Sequence, residues 1–226
     1  MKMWLPLLFL LPSHAFAQEV VFTIPKLDSP DWEKAAVWTR FFFPWKDAPA
    51  PPTTLKMCHD GKTLFFRYDV TDSDVVLADS REKMSVIGND RAEIFLATPD
   101  WKEWYYGFEM APNGVMLDYR MKYYRQSDYD WSGDFVKFTG KLTPTGYIIE
   151  GTIDLAALRT RNILQPDGTF YAGFFRAEFS HQPDGKILEE WISWKHSGTS
   201  EPDFHVPGAF GRVFLDNHIK ISQKSQ

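Results

Sequence analysis

Alternating apolar and polar residues recur along most of the chain and predict β-strands. In the segment 64–70, every even-numbered residue from Leu64 to Val70 is apolar, so one face of this strand is expected to be buried. Comparable segments predict strands at residues 91–97, 104–110, 115–124, 135–142, 147–153, 170–179, 188–194 and 212–215. The pattern therefore favours an all-β chain of roughly ten strands.

Tight turns separate several of these segments. Asp-Gly and Asn-Gly dipeptides tolerate the positive φ angles of two-residue hairpin loops, so each one predicts a hairpin. The four dipeptides are Asp60-Gly61, Asn113-Gly114, Asp167-Gly168 and Asp184-Gly185. Hairpins join antiparallel strands, and we therefore expect a two-sheet antiparallel β-sandwich with a jelly-roll-like arrangement.

One short helix is expected within this all-β fold. The carboxylate of Asp154 is placed to cap residues 155–158. The proline-rich segment 48–52 is interpreted as a loop rather than a linker, so residues 18–226 form a single domain.

The first 17 residues resemble a cleaved export signal. Lys2 supplies a positive charge, residues 4–11 are mostly apolar and too short to span a bilayer, and Ala15 and Ala17 fit the cleavage rule. We expect cleavage after Ala17 and a secreted or periplasmic protein. No later stretch approaches the length of a membrane span, so no membrane insertion is expected.

Composition limits the partners further. The chain is acidic, with a formal net charge of −5 and no basic run, which argues against nucleic acid as a partner. Cys58 is the only cysteine, so no intramolecular disulfide can form and a buried thiol is expected. Aromatic residues reach 16%, which indicates a ring-rich core together with a few rings available for a ligand.

Sequence signatures of catalysis are missing. The chain has no Gly-x-Ser-x-Gly, no phosphate-binding glycine loop and no His-Glu-x-x-His, and its histidines lack zinc-site spacing. A glycosidase-like pair of carboxylates stays open, since the chain carries 30 acidic residues. We therefore expect no catalytic residues and a binding function.

Two glutamates stand out on the polar faces of predicted strands. Glu93 follows this pattern in segment 91–97, and Glu109 in segment 104–110. If the two strands are neighbours, both carboxylates share a face with Tyr105, and Gly107 leaves room between them. Carboxylates that accept hydroxyl hydrogens among aromatic rings suit sugar recognition. A solvated face with incidental charges is the alternative.

The order of several motifs resembles carbohydrate-binding module family 9 and its family 9-like relatives among the DOMON-like β-sandwiches. The motifs are Leu27-Asp28, residues 31–35 (DWEKA), 60–72 (DGKTLFFRYDVTD), 89–96 (NDRAEIFL), 105–112 (YYGFEMAP), 146–153 (GYIIEGTI), 191–194 (WISW) and 203–214 (DFHVPGAFGRVF). They cover nearly the whole chain after residue 17.

This resemblance implies non-catalytic binding of mono-, di- or oligosaccharides, in support of polysaccharide breakdown. Such modules are often attached to xylanases and other glycoside hydrolases, and some hold structural calcium. Two tryptophans clamp the sugar in the family, and their positions fall on Ile87 and Phe204 here. Glu93 retains a family glutamate, and Glu109 stands where a sugar-binding arginine occurs. The predicted site comprises Glu93, Glu109, Arg176, Trp194, Phe204, Asn89 and Tyr105.

Two other functions remain as alternatives. DOMON-like domains include haem-binding cytochrome modules, and candidate axial ligands here are Met110, Met116, His181 and His205. The third possibility is an exported structural or interaction domain that takes no small ligand.

Overall fold

A computed structural model describes residues 21–100 and 104–219, with side chains to residue 216. The predicted export signal lies outside the described residues. The strands are β1 (Val21–Lys26), β2 (Ala36–Trp38), β3 (Thr53–His59), β4 (Thr63–Thr71), β5 (Arg91–Ala97), β6 (Tyr105–Met110), β7 (Met116–Lys122), β8 (Gln126–Asp128), β9 (Val136–Thr143), β10 (Gly146–Asp154), β11 (Thr169–His181), β12 (Ile187–Ser193) and β13 (Gly211–Ile219).

Helices contribute little to this mainly β architecture. One α-helix, α1, spans Leu155–Thr160, and 3-10 turns occur at Lys83–Gly88 and Pro207–Ala209. None of the helices in the described ranges has both the length and the apolar composition needed to cross a membrane.

The strands hydrogen-bond into one continuous mixed sheet. Their order is β8-β7-β6-β5-β11-β13-β1-β3-β4-β10-β9, with β12 paired to β11 and β2 paired to β3. The expectation of purely antiparallel pairing is wrong, because β1 runs parallel to both β13 and β3. Strand β1 was not predicted, so the sequence pattern gave no sign that the first strand joins two distant parts of the chain.

Three of the four glycine dipeptides form the predicted hairpins. Gly61, Gly114 and Gly185 have φ angles of 95°, 86° and 82° between β3 and β4, β6 and β7, and β11 and β12. The dipeptide Asp167-Gly168 also turns, with φ 88° at Gly168, but it connects α1 to β11 and joins no hairpin. A turn dipeptide thus reports local backbone geometry and leaves the pairing of the following strand undetermined.

Helix α1 begins where the sequence predicts. Oδ1 of Asp154 accepts hydrogen bonds from the backbone N–H groups of Ala156 at 2.7 Å and Ala157 at 3.4 Å. These bonds satisfy two donors that a helix otherwise leaves free at its start. The helix then buries Leu155 and Leu158 in the core.

The sheet curls so that distant strands face each other across the core. Tyr68 on β4 donates a hydrogen bond of 3.0 Å to the backbone oxygen of Glu93 on β5, although four strands, β3, β1, β13 and β11, lie between β4 and β5 in the sheet order. Arg176 on β11 similarly reaches Thr53 on β3, at 3.2 Å. As predicted, the even-numbered residues 64–70 of β4 are buried.

Strands β5, β6 and β11 are covered on both faces. All seven residues of β5 and all six of β6 are buried, although only alternate residues point into the core. Their outer face is covered by the segment between β12 and β13, where Phe204 stacks on Phe175 with ring centroids 4.0 Å apart. This covering segment leaves a space lined by aromatic rings between itself and the outer face of the sheet.

Candidate functional site

A cavity of about 160 Å³ lies between the outer face of β5 and β6 and the covering segment. Its walls include the rings of Trp45, Trp191 and Phe204, and its floor carries charged groups. We call it the ring-walled cavity. The residues that line it come from five separate parts of the chain: Trp45, Arg91 and Glu93, Glu109, Arg125, and residues 191–205.

The floor of the ring-walled cavity is a buried charge triad. Glu93 and Glu109 are directly opposite each other on β5 and β6, as the sequence predicted for neighbouring strands. Nε of Arg91 lies 2.9 Å from Oε1 of Glu93 and 2.6 Å from Oε2 of Glu109. The exposed fractions are only 4% for Arg91, 2% for Glu93 and 6% for Glu109, so water hardly reaches these groups.

Backbone carbonyls hold Arg91 in this position. Nη1 of its guanidinium group donates hydrogen bonds to the backbone oxygens of Ile87 at 3.0 Å and Asn89 at 3.1 Å. The guanidinium carbon also lies 5.5 Å from the ring centroid of Trp191. The arginine therefore stays fixed between the carboxylates and a wall of the cavity.

Both glutamates keep an oxygen that accepts no hydrogen bond. These are the same atoms that approach Arg91, Oε1 of Glu93 and Oε2 of Glu109, and their contacts with it lack hydrogen-bond geometry. The other carboxyl oxygen of Glu109, Oε1, accepts a hydrogen bond of 2.9 Å from the hydroxyl of Tyr119. Both oxygens are ion-paired to Arg91, and a carboxyl oxygen can accept more than one hydrogen bond, so this floor is suited to a ligand that brings hydroxyl donors.

Burial also changes the protonation of the floor. Desolvation, followed by the negative charge of Glu109, raises the pKa of Glu93 to about 8. At neutral pH the carboxyl group of Glu93 therefore carries a proton. Together with Glu109 it presents both a donor and acceptors to the cavity.

The walls combine one packed ring with two half-exposed rings. Phe204 is fixed by its stacking on Phe175, whereas Trp45 and Trp191 are half-buried. The ring centroids of Trp45 and Trp191 lie 5.5 Å and 6.2 Å from that of Phe204. Half-exposed indoles offer apolar faces to a ligand without leaving the wall.

A polar tie closes the rim. Asp203 accepts from Arg125 at 2.9 Å and from the hydroxyl of Tyr124 at 2.7 Å, which joins the covering segment to the β7–β8 hairpin. Beneath the rim, Nδ1 of His205 lies 3.0 Å from the hydroxyl of Tyr105. Burial lowers the pKa of His205 to about 4, so this imidazole is neutral at physiological pH.

Of the predicted site residues, Glu93, Glu109 and Phe204 line the ring-walled cavity. Tyr105 lies just behind it, buried against His205. Asn89 is fully buried, and its side-chain oxygen accepts from the backbone N–H of Ala78 at 2.6 Å. It therefore supports Arg91 through its backbone and does not line the cavity.

Trp194 and Arg176 lie elsewhere, which corrects the predicted site. Trp194 is 2% exposed, with its ring centroid 4.8 Å from that of Phe174 in the core. Arg176 is opposite Ala92 in the register, whereas its neighbour Phe175 is opposite Glu93. Because adjacent residues point to opposite faces, Arg176 faces the interior and cannot reach the cavity.

The sequence reasoning missed several residues of the cavity. Arg91 had an available signal, because it lies two positions before Glu93 and must share its face. Trp191 likewise belongs to the same motif as Trp194 but points the other way. For Trp45, Arg125 and Asp203 no local signal existed, because loops far apart in sequence bring them together.

Arg176 belongs to a second buried charge cluster. It pairs with Glu178 and lies 3.3 Å from Oδ2 of Asp72. Oxygen atoms of Asp72, Asp90 and Glu178 lie within 4.8 Å of one another. Burial is the main cause that raises the pKa of Asp90 to about 7 and that of Glu178 to about 8.

The four candidate haem ligands make different contacts in the structure. Met110 is fully buried, and Met116 is its register partner on β7. His181 is exposed, with Nδ1 2.8 Å from Oδ1 of Asp74, whereas His205 contacts Tyr105.

Comparisons with known proteins agree with this architecture. A crystal structure of a candidate carbohydrate-binding protein from Bacteroides uniformis superposes with a TM-score of 0.66 at 20% identity, over 87% of this chain and 97% of that one. A carbohydrate binding module family 9 from Caldicellulosiruptor kristjanssonii, solved with cellotriose, gives a TM-score of 0.58 at 16% identity, over 89% of this chain and 96% of that one. Its complex with glucose gives 0.58 at 16%, over 90% and 100%.

Sequence comparison identifies the family itself. No significant match occurs among curated protein sequences. The family model described as carbohydrate family 9 binding domain-like, however, matches residues 27–218. This range contains every strand from β2 to β12 together with all residues of the ring-walled cavity. The chain therefore belongs to the carbohydrate family 9 binding domain-like family.

Proposed function

We propose that the protein binds carbohydrate in the ring-walled cavity, without catalysis. The observation that carries this proposal is the pairing of Glu93 and Glu109 on the floor of a cavity that has aromatic walls. Sugar hydroxyls can donate to these carboxyl oxygens, while Trp45 and Trp191 cover the apolar C–H face of a sugar ring.

A neutral saccharide fits the charges best. The cavity is lined by three carboxyl groups and two guanidinium groups, so it offers no excess positive charge for an acidic sugar. Another cavity, of about 360 Å³, has no carboxyl group and no Phe, Tyr or Trp in its walls. The small volume of the ring-walled cavity is suited to a single sugar residue.

The same geometry supports a binding role over hydrolysis. Glu93 and Glu109 lie side by side on neighbouring strands, and both face one buried arginine. Glycosidases place their two carboxyls on opposite sides of the scissile bond, at a separation that admits a sugar or a water molecule. We propose that the protein is exported and supports polysaccharide breakdown beside a separate glycoside hydrolase.

The buried carboxyl groups around Arg176 are the candidates for the structural calcium that the family resemblance implies. The guanidinium of Arg176 lies among Asp72 and Glu178, and Asp90 already accepts from the backbone N–H groups of Val76 and Phe179. These residues do not fit calcium, because a bound cation would meet the positive charge of Arg176 at short range. We further propose that the two halves of the curled sheet act as the layers of a β-sandwich.

Calorimetric titration with glucose, cellotriose and xylotriose tests the proposed function. We expect a weak dissociation constant, on the order of 0.1 to 1 mM, because Ile87 and not a ring occupies one clamp position. The variant Trp191→Ala should weaken binding about 2- to 10-fold, as the stacking face is lost. Glu109→Gln should weaken it further, since a charged acceptor is removed.

Trp32→Ala is the matched control, because Trp32 is also half-buried but lines no part of the cavity. Equal affinity of wild type, Trp191→Ala and Glu109→Gln for a bound sugar would contradict this site. Absence of binding across a broad glycan panel would contradict the function itself.

A further inference from the structure

A buried arginine gathers oxygen atoms in the interior of the curled sheet. Nη1 of Arg176 donates hydrogen bonds to Oγ1 of Thr53 at 3.2 Å and to the backbone oxygen of Thr71 at 3.1 Å. Its Nη2 pairs with Oε2 of Glu178 and lies 3.3 Å from Oδ2 of Asp72. The guanidinium group is therefore the meeting point of β3, β11 and the end of β4.

The oxygen atoms around this guanidinium group are of the kinds that a hard divalent cation binds. Calcium takes carboxyl and backbone carbonyl oxygens in flexible arrangements, and Asp72, Glu178 and Thr71 supply both kinds. A third carboxyl group belongs to Asp90, with an oxygen atom within 4.8 Å of those of Asp72 and Glu178. Oδ2 of Asp72 is buried and accepts no hydrogen bond, so positive charge is what compensates its burial.

The cluster is also closed to water. The side chain of Arg176 is 0% exposed, and those of Asp72 and Glu178 are 2% and 12% exposed. Ionised carboxyl groups at this depth are strongly destabilising when no counter-charge accompanies them. The cluster therefore requires a cation, and the chain provides one from its own sequence.

We propose that the guanidinium group of Arg176 is a built-in cation, which fills the place that a divalent cation would otherwise occupy and makes the fold independent of calcium. A divalent ion and the guanidinium group exclude each other, because two positive charges at this distance repel strongly in a poorly solvated site. The same cluster without the arginine side chain is consequently a calcium site that the native sequence keeps closed. This inference does not depend on sugar binding in the ring-walled cavity.

An ordinary salt bridge is the competing interpretation, and Arg67 provides the comparison. Arg67 also pairs with two carboxyl groups, those of Asp69 and Glu150, but the three side chains are 25%, 34% and 42% exposed. Water solvates these carboxylates when the arginine is removed, so they need no other cation. Loss of Arg176, in contrast, leaves its carboxyl groups buried without a counter-charge.

Arg176→Met tests the proposal, because methionine keeps an unbranched side chain and removes both the charge and the hydrogen-bond donors. Urea denaturation followed by tryptophan fluorescence compares each protein in EDTA and in calcium. Wild type should have the same midpoint in both solutions. In EDTA, Arg176→Met should unfold at a lower urea concentration than wild type, and calcium should raise its midpoint.

The size of the calcium effect follows from the affinity of comparable sites. Extracellular calcium modules have dissociation constants on the order of 0.1 to 1 mM. Calcium at about ten times the dissociation constant should shift the folding equilibrium of Arg176→Met about tenfold. The measurements are made at about pH 8.5, because burial raises the pKa of Glu178 to about 8 and protons compete with a cation for its oxygens.

Arg67→Met is the matched control, and its urea midpoint should be the same in EDTA and in calcium. Arg176→Lys retains a positive charge and should also stay independent of calcium. Asp72→Asn combined with Arg176→Met removes a proposed ligand and should abolish the calcium response.

A calcium response of Arg176→Met no larger than that of Arg67→Met overturns the proposal. Failure of Arg176→Met to fold in calcium does so as well, since the ion then cannot replace the guanidinium group. Chelation that lowers the midpoint of wild type but not that of Asp72→Asn would show that calcium already binds beside Arg176, which also contradicts the proposal.

Discussion

The position of Glu109 depends on the absence of a side chain at Gly107. A Cβ atom built at Gly107 would lie 2.3 Å from Cζ of Tyr119, whose hydroxyl donates to Glu109. The sequence indicated that this glycine leaves room between the two carboxylates. The Tyr119 ring occupies the space beside Gly107, and its hydroxyl fixes Glu109.

Gly107→Ala should therefore lower both stability and sugar affinity. The added methyl must displace the Tyr119 ring, and overpacking of this kind typically costs about 1–3 kcal/mol. Chemical denaturation measures the loss of stability, and calorimetry measures the affinity of the folded variant. Gly88→Ala is the control, since a Cβ there meets no atom within 4 Å. Comparable effects of the two substitutions would refute this role of Gly107.

At the scale of elements, β11 connects the two charge clusters. Its residue Phe175 faces the ring-walled cavity through Phe204, while the next residue, Arg176, faces the interior cluster. A strand that is buried on both faces has a nearly continuous apolar sequence. Alternation then separates the odd-numbered from the even-numbered residues, but it does not show which of these two faces points into the core. The placement of Arg176 in the sugar site was wrong for this reason.

Helix α1 gives a prediction at the same scale. Asp154→Ala removes the acceptor for two backbone N–H groups and should lower the free energy of unfolding by about 0.5–2 kcal/mol. Denaturant titration of the purified protein measures this difference. Asp154→Asn retains a capping oxygen and should stay within a few tenths of a kcal/mol of wild type. An unchanged midpoint in Asp154→Ala would mean that the cap contributes nothing to the fold.

For the whole molecule, buried carboxyl groups predict that stability falls as pH rises. Burial raises the pKa of Asp90 to about 7 and those of Glu93 and Glu178 to about 8. In the unfolded chain these groups ionise near pH 4 to 4.5, roughly their ordinary values. Between about pH 4.5 and pH 8 the native state therefore binds more protons, and the free energy of unfolding decreases.

Denaturant titrations at about pH 5, 6.5 and 8 check this dependence. Glu178→Gln should flatten the decrease, because one of the three groups no longer titrates. Glu33→Gln, a substitution at an exposed glutamate, should keep the wild-type slope. A free energy of unfolding that rises over this interval would contradict the assignment of protonated carboxyls in the native protein.

The sequence by itself determined the local features of this protein. Side-chain alternation located most strands, turn dipeptides located three hairpins, and Asp154 marked the start of α1. The same alternation placed Glu93 and Glu109 on the polar faces of their strands. Ordered motifs across the chain also indicated the family. The strands, the hairpins and the start of α1 depend on residues that are close in sequence, where backbone geometry sets which residues are neighbours.

Only the tertiary structure decided which residues meet around the cavity. Trp45, Arg125 and Asp203 come from loops far apart in the chain, and the covering segment brings them over β5 and β6. The sequence also gave no sign of the parallel pairing of β1 with β13 and β3. Parallel strands are not joined by a tight turn, so no turn dipeptide marks their pairing. Contacts between distant segments arise when the sheet curls to bury its core, and no local pattern records that closure.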